Sequence, residues 1–189
     1  MKLNRLFRVI FILLSFHLNA HAYDADTDKQ LTGTLMASSR VSFAANAFDD
    51  DPTTFFTSTY GSREWVGMDL GSPHVITRIS YTASSGYDGP DRMLLSLFEG
   101  GNDPDFMDAV PLYLISEAPR GNTPVSVDVN VSRGVRYIRY VGGEGSYCKV
   151  AELKFFGHEG EGDDSKFYHI TNLPTLSIHV QDNVMPQNR

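Results

Sequence analysis

The chain has 189 residues, with 16 Lys+Arg against 23 Asp+Glu, a formal charge of −7 and 41% hydrophobic residues. That is length for one medium domain and a fragment of another, able to bury a core without staples. A net acidic chain lacks the electrostatic footprint of nucleic-acid binding and is repelled by anionic membrane surfaces, so both partner classes are excluded.

Residues 1–22 have the anatomy of a secretory signal peptide. Lys2, Arg5 and Arg8 precede an apolar run from Val9 to Leu18, and Ala20-His21-Ala22 supplies the small residues of a cleavage site. The run is shorter than the ~20 apolar residues of a membrane span. The expected product starts near Tyr23, is secreted or delivered to the periplasm or cell surface, and does not insert in a membrane after cleavage. Lys2, Arg5 and Arg8 are the only charges before Asp24, so the remainder is more acidic still.

From Leu31 to Gly157 the pattern is all-β. Runs rich in Val, Ile, Thr, Tyr and Phe alternate with Gly/Pro/Asp/Asn clusters. Strands are predicted at Trp65–Leu70, His74–Ala83, Met93–Glu99, Pro111–Ile115, Val125–Val131, Val135–Val141 and Val150–Phe156. In the fifth, Val125, Val127, Val129 and Val131 alternate with polar residues, a period of two that puts one face on a core. Gly71-Ser72-Pro73, Gly86 to Pro90, Gly100 to Pro104, Arg120 to Pro124 and Gly142-Gly143 are expected turns. No apolar pattern of helical period runs long enough to suggest a helical layer, so the expected architecture is a β-sandwich with loops gathered at its two ends.

Residues 23–157 thus form the predicted domain. Residues 158–169, opening HEGEGDDSK, read as an acidic Gly-rich linker, and 170–189 as a tail. The tail is expected either to open a truncated second domain or to dock as an extra edge strand. Cys148 is alone, which excludes an internal disulfide, and is expected to be a loop or core thiol.

Polar chemistry concentrates in Asn46-Ala-Phe-Asp-Asp-Asp-Pro-Thr-Thr54. Three successive carboxylates followed by hydroxyls offer hard oxygen ligands of the kind Ca²⁺ takes from loops. An acidic turn closed by Asp side chains has the same spacing. The loop is not an EF-hand: counting from Asp49, position six is Thr54 and position twelve is Tyr60. Sugar recognition needs an exposed aromatic ring for C–H stacking beside directional donors and acceptors. Thr59–Glu64, Gly86–Arg92 and Glu144–Tyr147 supply such pairs, nominating Tyr60, Arg63, Tyr87, Arg92 and Tyr147. Trp65 and the Phe55-Phe56 pair are read as core, and Arg136 and Arg139 as structural charges paired with acids. No GxSxG, HExxH, P-loop or Rossmann glycine pattern is present, so the chain is read as non-catalytic.

Four landmarks in order, AFDDDPTTFFTS (47–58), WVGMDLG (65–71) running into HVITRISY (74–81), RYIRYV (136–141) and VAELKFFG (150–157), resemble the discoidin, or coagulation factor five/eight type C, domain. They are most similar to the bacterial family 32 carbohydrate-binding modules. The resemblance implies a galactose-binding-like jelly-roll sandwich and a non-catalytic glycan-binding role that targets an attached or associated protein. Protein interaction or adhesion through the same loops is the alternative. It also implies a structural Ca²⁺ held by the Asn46 carbonyl, the Asp49 side chain, the Asp51 carbonyl, Thr54, the Ala151 carbonyl and Glu152. Asp50 departs from the family pattern, which often has Gly there. More weakly, NLPTLSIHV (172–180) resembles the opening strand of spore-coat-kinase-like domains, with no nucleotide-binding residues to carry over.

Overall fold

The computed structural model describes residues 28–86 and 88–160. The leader, Tyr87, the acidic stretch from residue 161 and the tail lie outside the described residues.

Among the described residues eight strands form the framework: β1 (Lys29–Gln30), β2 (Thr34–Ala37), β3 (Trp65–Thr82), β4 (Leu97–Gly101), β5 (Val110–Leu114), β6 (Val125–Asp128), β7 (Val135–Val141) and β8 (Glu152–Glu159). All strand pairings are antiparallel. β3 organises them. Its first half pairs with β2 and β7, while its second half pairs with β6 and β8. Hydrogen bonding therefore runs continuously through a strand that changes layer, as at the corners of β-sandwiches.

The predicted turn at Gly71-Ser72-Pro73 is that corner, and the two strands expected on either side of it are one. Register shifts between Asp69 and His74 where β3 pairs β7. Gly71 takes a left-handed φ of 81°, and its N–H donates to Asp69 Oδ1 at 2.8 Å. Pro73, which has no N–H, is tolerated because it falls in the bulged stretch.

The core fills the space between the layers. Phe98 of β4 meets Tyr81 of β3 at 5.6 Å and Phe155 of β8 at 6.2 Å between ring centroids. Val66, Ile76, Ile79, Ile138, Tyr140 and Leu153 are buried around them. The valine alternation reads as expected in β6, with Val125 and Val127 half-buried and Ser126 and Asp128 exposed.

Other boundaries shift. β4 starts at Leu97 because Asp91–Met93 winds into a 3₁₀ turn. β8 continues past Gly157, pairing His158 with Val75 and Glu159 with His74, and so takes in the first residues of the segment read as linker. β1, β2 and the 3₁₀ helix Val41–Ala47 carry no alternating pattern and were not anticipated.

Candidate functional site

Two loop clusters gather the nominated residues. In the first, the acidic loop folds onto β8. Thr54 Oγ1 sits at its hub, donating to Asp49 Oδ2 at 2.9 Å and lying 3.1 Å from the Asp51 carbonyl and 3.3 Å from the Asn46 carbonyl. The Asp51 carboxylate faces away, accepting the Thr53 hydroxyl at 2.6 Å and the Thr53 N–H at 2.9 Å. These two bonds hold its pKa below the usual carboxylate value, the hydroxyl contributing most.

Glu152 closes the cluster from β8. It is only 6% exposed. Its Oε2 accepts the Asp50 N–H at 3.2 Å, and its Oε1 is buried with no hydrogen-bond partner. Burial, helped by the neighbouring Asp49 and Asp50, pushes Glu152 up to about 7. Asp50 takes a left-handed φ of 63° and ion-pairs with Lys154. Ala151 is buried beside Glu152, with its N–H donating to the Thr82 carbonyl at 3.0 Å.

An orphaned buried carboxylate oxygen beside a second carboxylate and a knot of carbonyl and hydroxyl oxygens fits a hard divalent cation. Among the described residues no three His, Cys, Asp or Glu side chains group as a metal site. Two carboxylates with neutral oxygens match Ca²⁺ chemistry and not the nitrogen and sulfur sets of zinc.

The second cluster joins three loops. The Ser58 N–H donates to the Tyr147 carbonyl at 2.8 Å, the Tyr147 N–H to the Gly61 carbonyl at 3.1 Å, and the Gly145 N–H to Ser62 Oγ at 3.3 Å. Arg92 reaches in from the third loop. Its Nε donates to Asp88 Oδ2 at 2.6 Å and its Nη1 to the carbonyls of Gly145 and Ser146, with the guanidinium 5.1 Å from the Tyr147 ring centroid. Lys149 Nζ lies 3.2 Å from Asp88 Oδ1 and 4.9 Å from the Phe55 ring centroid. The hydrogen bonds of Arg92, then Lys149, hold Asp88 below the usual carboxylate range.

Tyr147 and Cys148 take successive left-handed conformations, φ 55° and 48°. That costs roughly 1–2 kcal/mol per residue and persists only where surroundings enforce it. Ser146 Oγ accepts the Cys148 N–H at 3.1 Å. A Cβ on Gly142 would fall 2.3 Å from that same oxygen, so the loop closes only over glycine. Tyr147 is thereby fixed at 43% exposure, and Tyr60, 67% exposed, precedes the Gly61 whose carbonyl accepts the Tyr147 N–H.

The structure brings Arg92 onto Tyr147 and ties the loop carrying Tyr60 to Tyr147 through the Gly61 carbonyl. Arg63 is exposed on the same loop as Tyr60, with φ 59°, but no described contact ties its side chain to the others. Tyr87 lies outside the described residues. Asp88 and Lys149 were not singled out from sequence. Phe55 was misassigned to the core: Phe56 is fully buried, whereas Phe55 is 40% exposed beneath Lys149. Trp65 packs on Phe106 at 5.4 Å and beneath Arg139, on the outer face of its sheet. Arg136 and Arg139 find acidic partners in Asp69 and Glu99. Cys148 is buried, and burial pushes its thiol pKa far up.

Comparison with known proteins agrees with this fold. The F5/8 type C domain model matches residues 33–153. The CBM62 of Clostridium thermocellum Xyl5A is 38% identical, with a TM-score of 0.66 over 70% of this chain and 99% of that one. The CBM32 of AlyQ, in complex with 4,5-unsaturated mannuronic acid, shares the fold at 22% identity and TM-score 0.55, covering 67% of this chain and 97% of that one. A fucolectin from striped bass (Morone saxatilis) serum shares it at 18% identity and TM-score 0.58, covering 71% of this chain and 47% of that one. No curated protein matches the chain. The ordered landmarks, the β-sandwich and the family match lead to one conclusion: this chain belongs to the F5/8 type C domain family.

Proposed function

We propose that the chain is an exported, non-catalytic carbohydrate-binding module that holds a structural Ca²⁺ and brings an attached or associated protein to glycans. The observation that carries this reading is the Tyr147–Arg92–Asp88 arrangement, in which an exposed ring and a fixed guanidinium are presented together by a strained, cross-bonded loop. A sugar ring stacks its C–H face on Tyr147, and the exposed Tyr60 of the neighbouring loop offers a second ring. Arg92 supplies directional donors to the hydroxyls. Asp88 holds Nε and two carbonyls hold Nη1, while Nη2 makes no hydrogen bond among the described residues. Positioning in advance lowers the ordering cost of binding. The likeness to the module of the Clostridium thermocellum protein supports the ligand class.

The Ca²⁺ is held by Asp49, Glu152, Thr54 and the carbonyls of Asn46, Asp51 and Ala151, and ties the first loop to the last strand. Its role is structural. Export rests on the leader sequence, and among the described residues no helix is long and apolar enough to cross a membrane. The loop surface is open, so affinity is weak, about 0.1–1 mM, or about 4–5.5 kcal/mol.

Affinity electrophoresis of the full chain through gels containing soluble polysaccharides tests the reading. Retardation by at least one polysaccharide, reduced in Arg92→Ala, is the expected result. Free migration through every gel, in excess Ca²⁺, contradicts it.

A further inference from the structure

Residues 55–58 run antiparallel to residues 147–150. Phe56 and Val150 exchange backbone hydrogen bonds of 2.9 and 3.2 Å, and the Ser58 N–H reaches the Tyr147 carbonyl. Successive side chains of such a ribbon point to opposite faces. Phe56, Ser58, Cys148 and Val150 are buried, so they form its inward face. Phe55, Thr57, Tyr147 and Lys149 share the outward one.

On that outward face one arrangement occurs twice. The Arg92 guanidinium lies 5.1 Å from the Tyr147 ring centroid, and the Lys149 ammonium lies 4.9 Å from that of Phe55. Asp88 joins the two cations. Its Oδ2 accepts Arg92 Nε at 2.6 Å and its Oδ1 accepts Lys149 Nζ at 3.2 Å. The Lys149 side chain is only 17% exposed, and a Cβ on Gly86 would come within 3.1 Å of Nζ, so the ammonium is closely held. It sits over one face of the Phe55 ring, and the residue keeps 40% exposure. We infer that Phe55 and Lys149 form a second saccharide subsite continuous with the Tyr147–Arg92 one, so that the ligand is an oligosaccharide of two or more units.

Core packing does not require the Phe55 ring, because Phe56 fills the inward position completely. What the outward ring offers is a flat apolar surface fixed against a cation, the same surface that Tyr147 presents to the C–H face of a sugar. An ammonium only donates, so Lys149 takes hydroxyl or ring oxygens of the second unit. Thr57 lies between the two rings. Its hydroxyl proton goes to the Tyr147 carbonyl at 3.3 Å, which leaves its oxygen to accept from a sugar hydroxyl. The shared Asp88 fixes the spacing of the two units, because both cations are anchored on one carboxylate. The inference rests on the proposed carbohydrate-binding role for its ligand class. Once the first unit is seated at Tyr147, the second binds at high effective concentration, so two weak contacts reinforce each other.

The test is amide chemical-shift titration of the full chain in saturating Ca²⁺ with D-galactose, D-glucose, D-mannose and D-xylose, and with galactobiose, cellobiose, mannobiose and xylobiose. It is run on wild type and on Phe55→Leu and Phe55→Ala variants that melt like wild type; the first keeps apolar bulk without a flat ring. For at least one sugar the disaccharide should bind wild type about tenfold more tightly than the monosaccharide and shift the Phe55, Thr57 and Lys149 amides. That advantage should vanish in both variants. A disaccharide no tighter than its monosaccharide, or an advantage that survives loss of the ring, overturns the second subsite while binding at Tyr147 stands. If no saccharide binds, both readings fall.

Discussion

The Asp50 N–H donates to Glu152 Oε2 across 3.2 Å, joining residues 102 apart in sequence. That bond, with the burial of Glu152 against Asp49, makes the acidic loop part of the last strand. Burial first, and the neighbouring Asp49 and Asp50 after it, push Glu152 up. A cation bound as proposed would offset both and make the loop and strand a clasp.

Calcium should therefore raise the melting temperature. At free Ca²⁺ 100-fold above Kd the stabilisation is about 2.7 kcal/mol. Asp49→Ala should abolish the response to added Ca²⁺ or chelator in a thermal melt. An Asp49→Ala protein that still gains stability from Ca²⁺ would remove Asp49 from the ligand set.

In the proposed site Asp88 holds the Arg92 guanidinium in place. Asp88→Ala should weaken binding several-fold by freeing the guanidinium, and Tyr147→Ala should weaken it about tenfold by removing the stacking surface. Calorimetric titration with the best saccharide reads both. Equal affinity in wild type and Asp88→Ala would show that Arg92 needs no positioning.

The hydrogen bond from Arg136 holds Asp69 below its usual pKa. A carboxyl depressed in the folded state contributes stability that is fully present above the unfolded value near 3.9. The contribution is lost as pH falls through the folded value. Melts between about pH 5 and pH 2 should therefore show a steeper acid loss for wild type than for Asp69→Asn. Parallel curves would contradict the linkage.

Cys148 should be inert to thiol reagents in the native protein, because its sulfur is buried and its thiolate disfavoured. It should react stoichiometrically in denaturant. Rapid native labelling would mean that the Gly142–Cys148 loop opens, against the strain-held geometry described above.

Phe98→Ala should cost about 3–5 kcal/mol, since that ring contacts Tyr81, Tyr140 and Phe155 at the centre of the sandwich. Denaturant unfolding measures it. A loss under about 1 kcal/mol would contradict this packing.

The sequence made β6 legible because half-buried strands repeat every two residues, as Val125–Asp128 does, and β7 legible by its run of β-branched and aromatic residues. It hid the continuity of β3, because Gly71 and Pro73 signal a turn whether the chain reverses or only bends. β1 and β2 were hidden because short strands are fixed by their partners: Lys29 and Gln30 have no periodicity and pair with Gly157 and Phe156. At the loops, tyrosines and arginines were legible by type. Asp88 and Lys149 were not, since their roles come from contacts spanning 61 residues. The Phe55-Phe56 order was likewise invisible, because burial alternates along the chain and sequence alone does not set which phase faces inward.

The central claim is glycan recognition by the Tyr147–Arg92 loops. Its most direct test is a glycan array probed with the full chain, displayed multivalently in excess Ca²⁺ so that weak sites register. The account predicts signals confined to a small set of glycans sharing one terminal sugar, reduced at least about tenfold in Tyr147→Ala and in Arg92→Ala. A blank array, or signals unchanged in both variants, would contradict it.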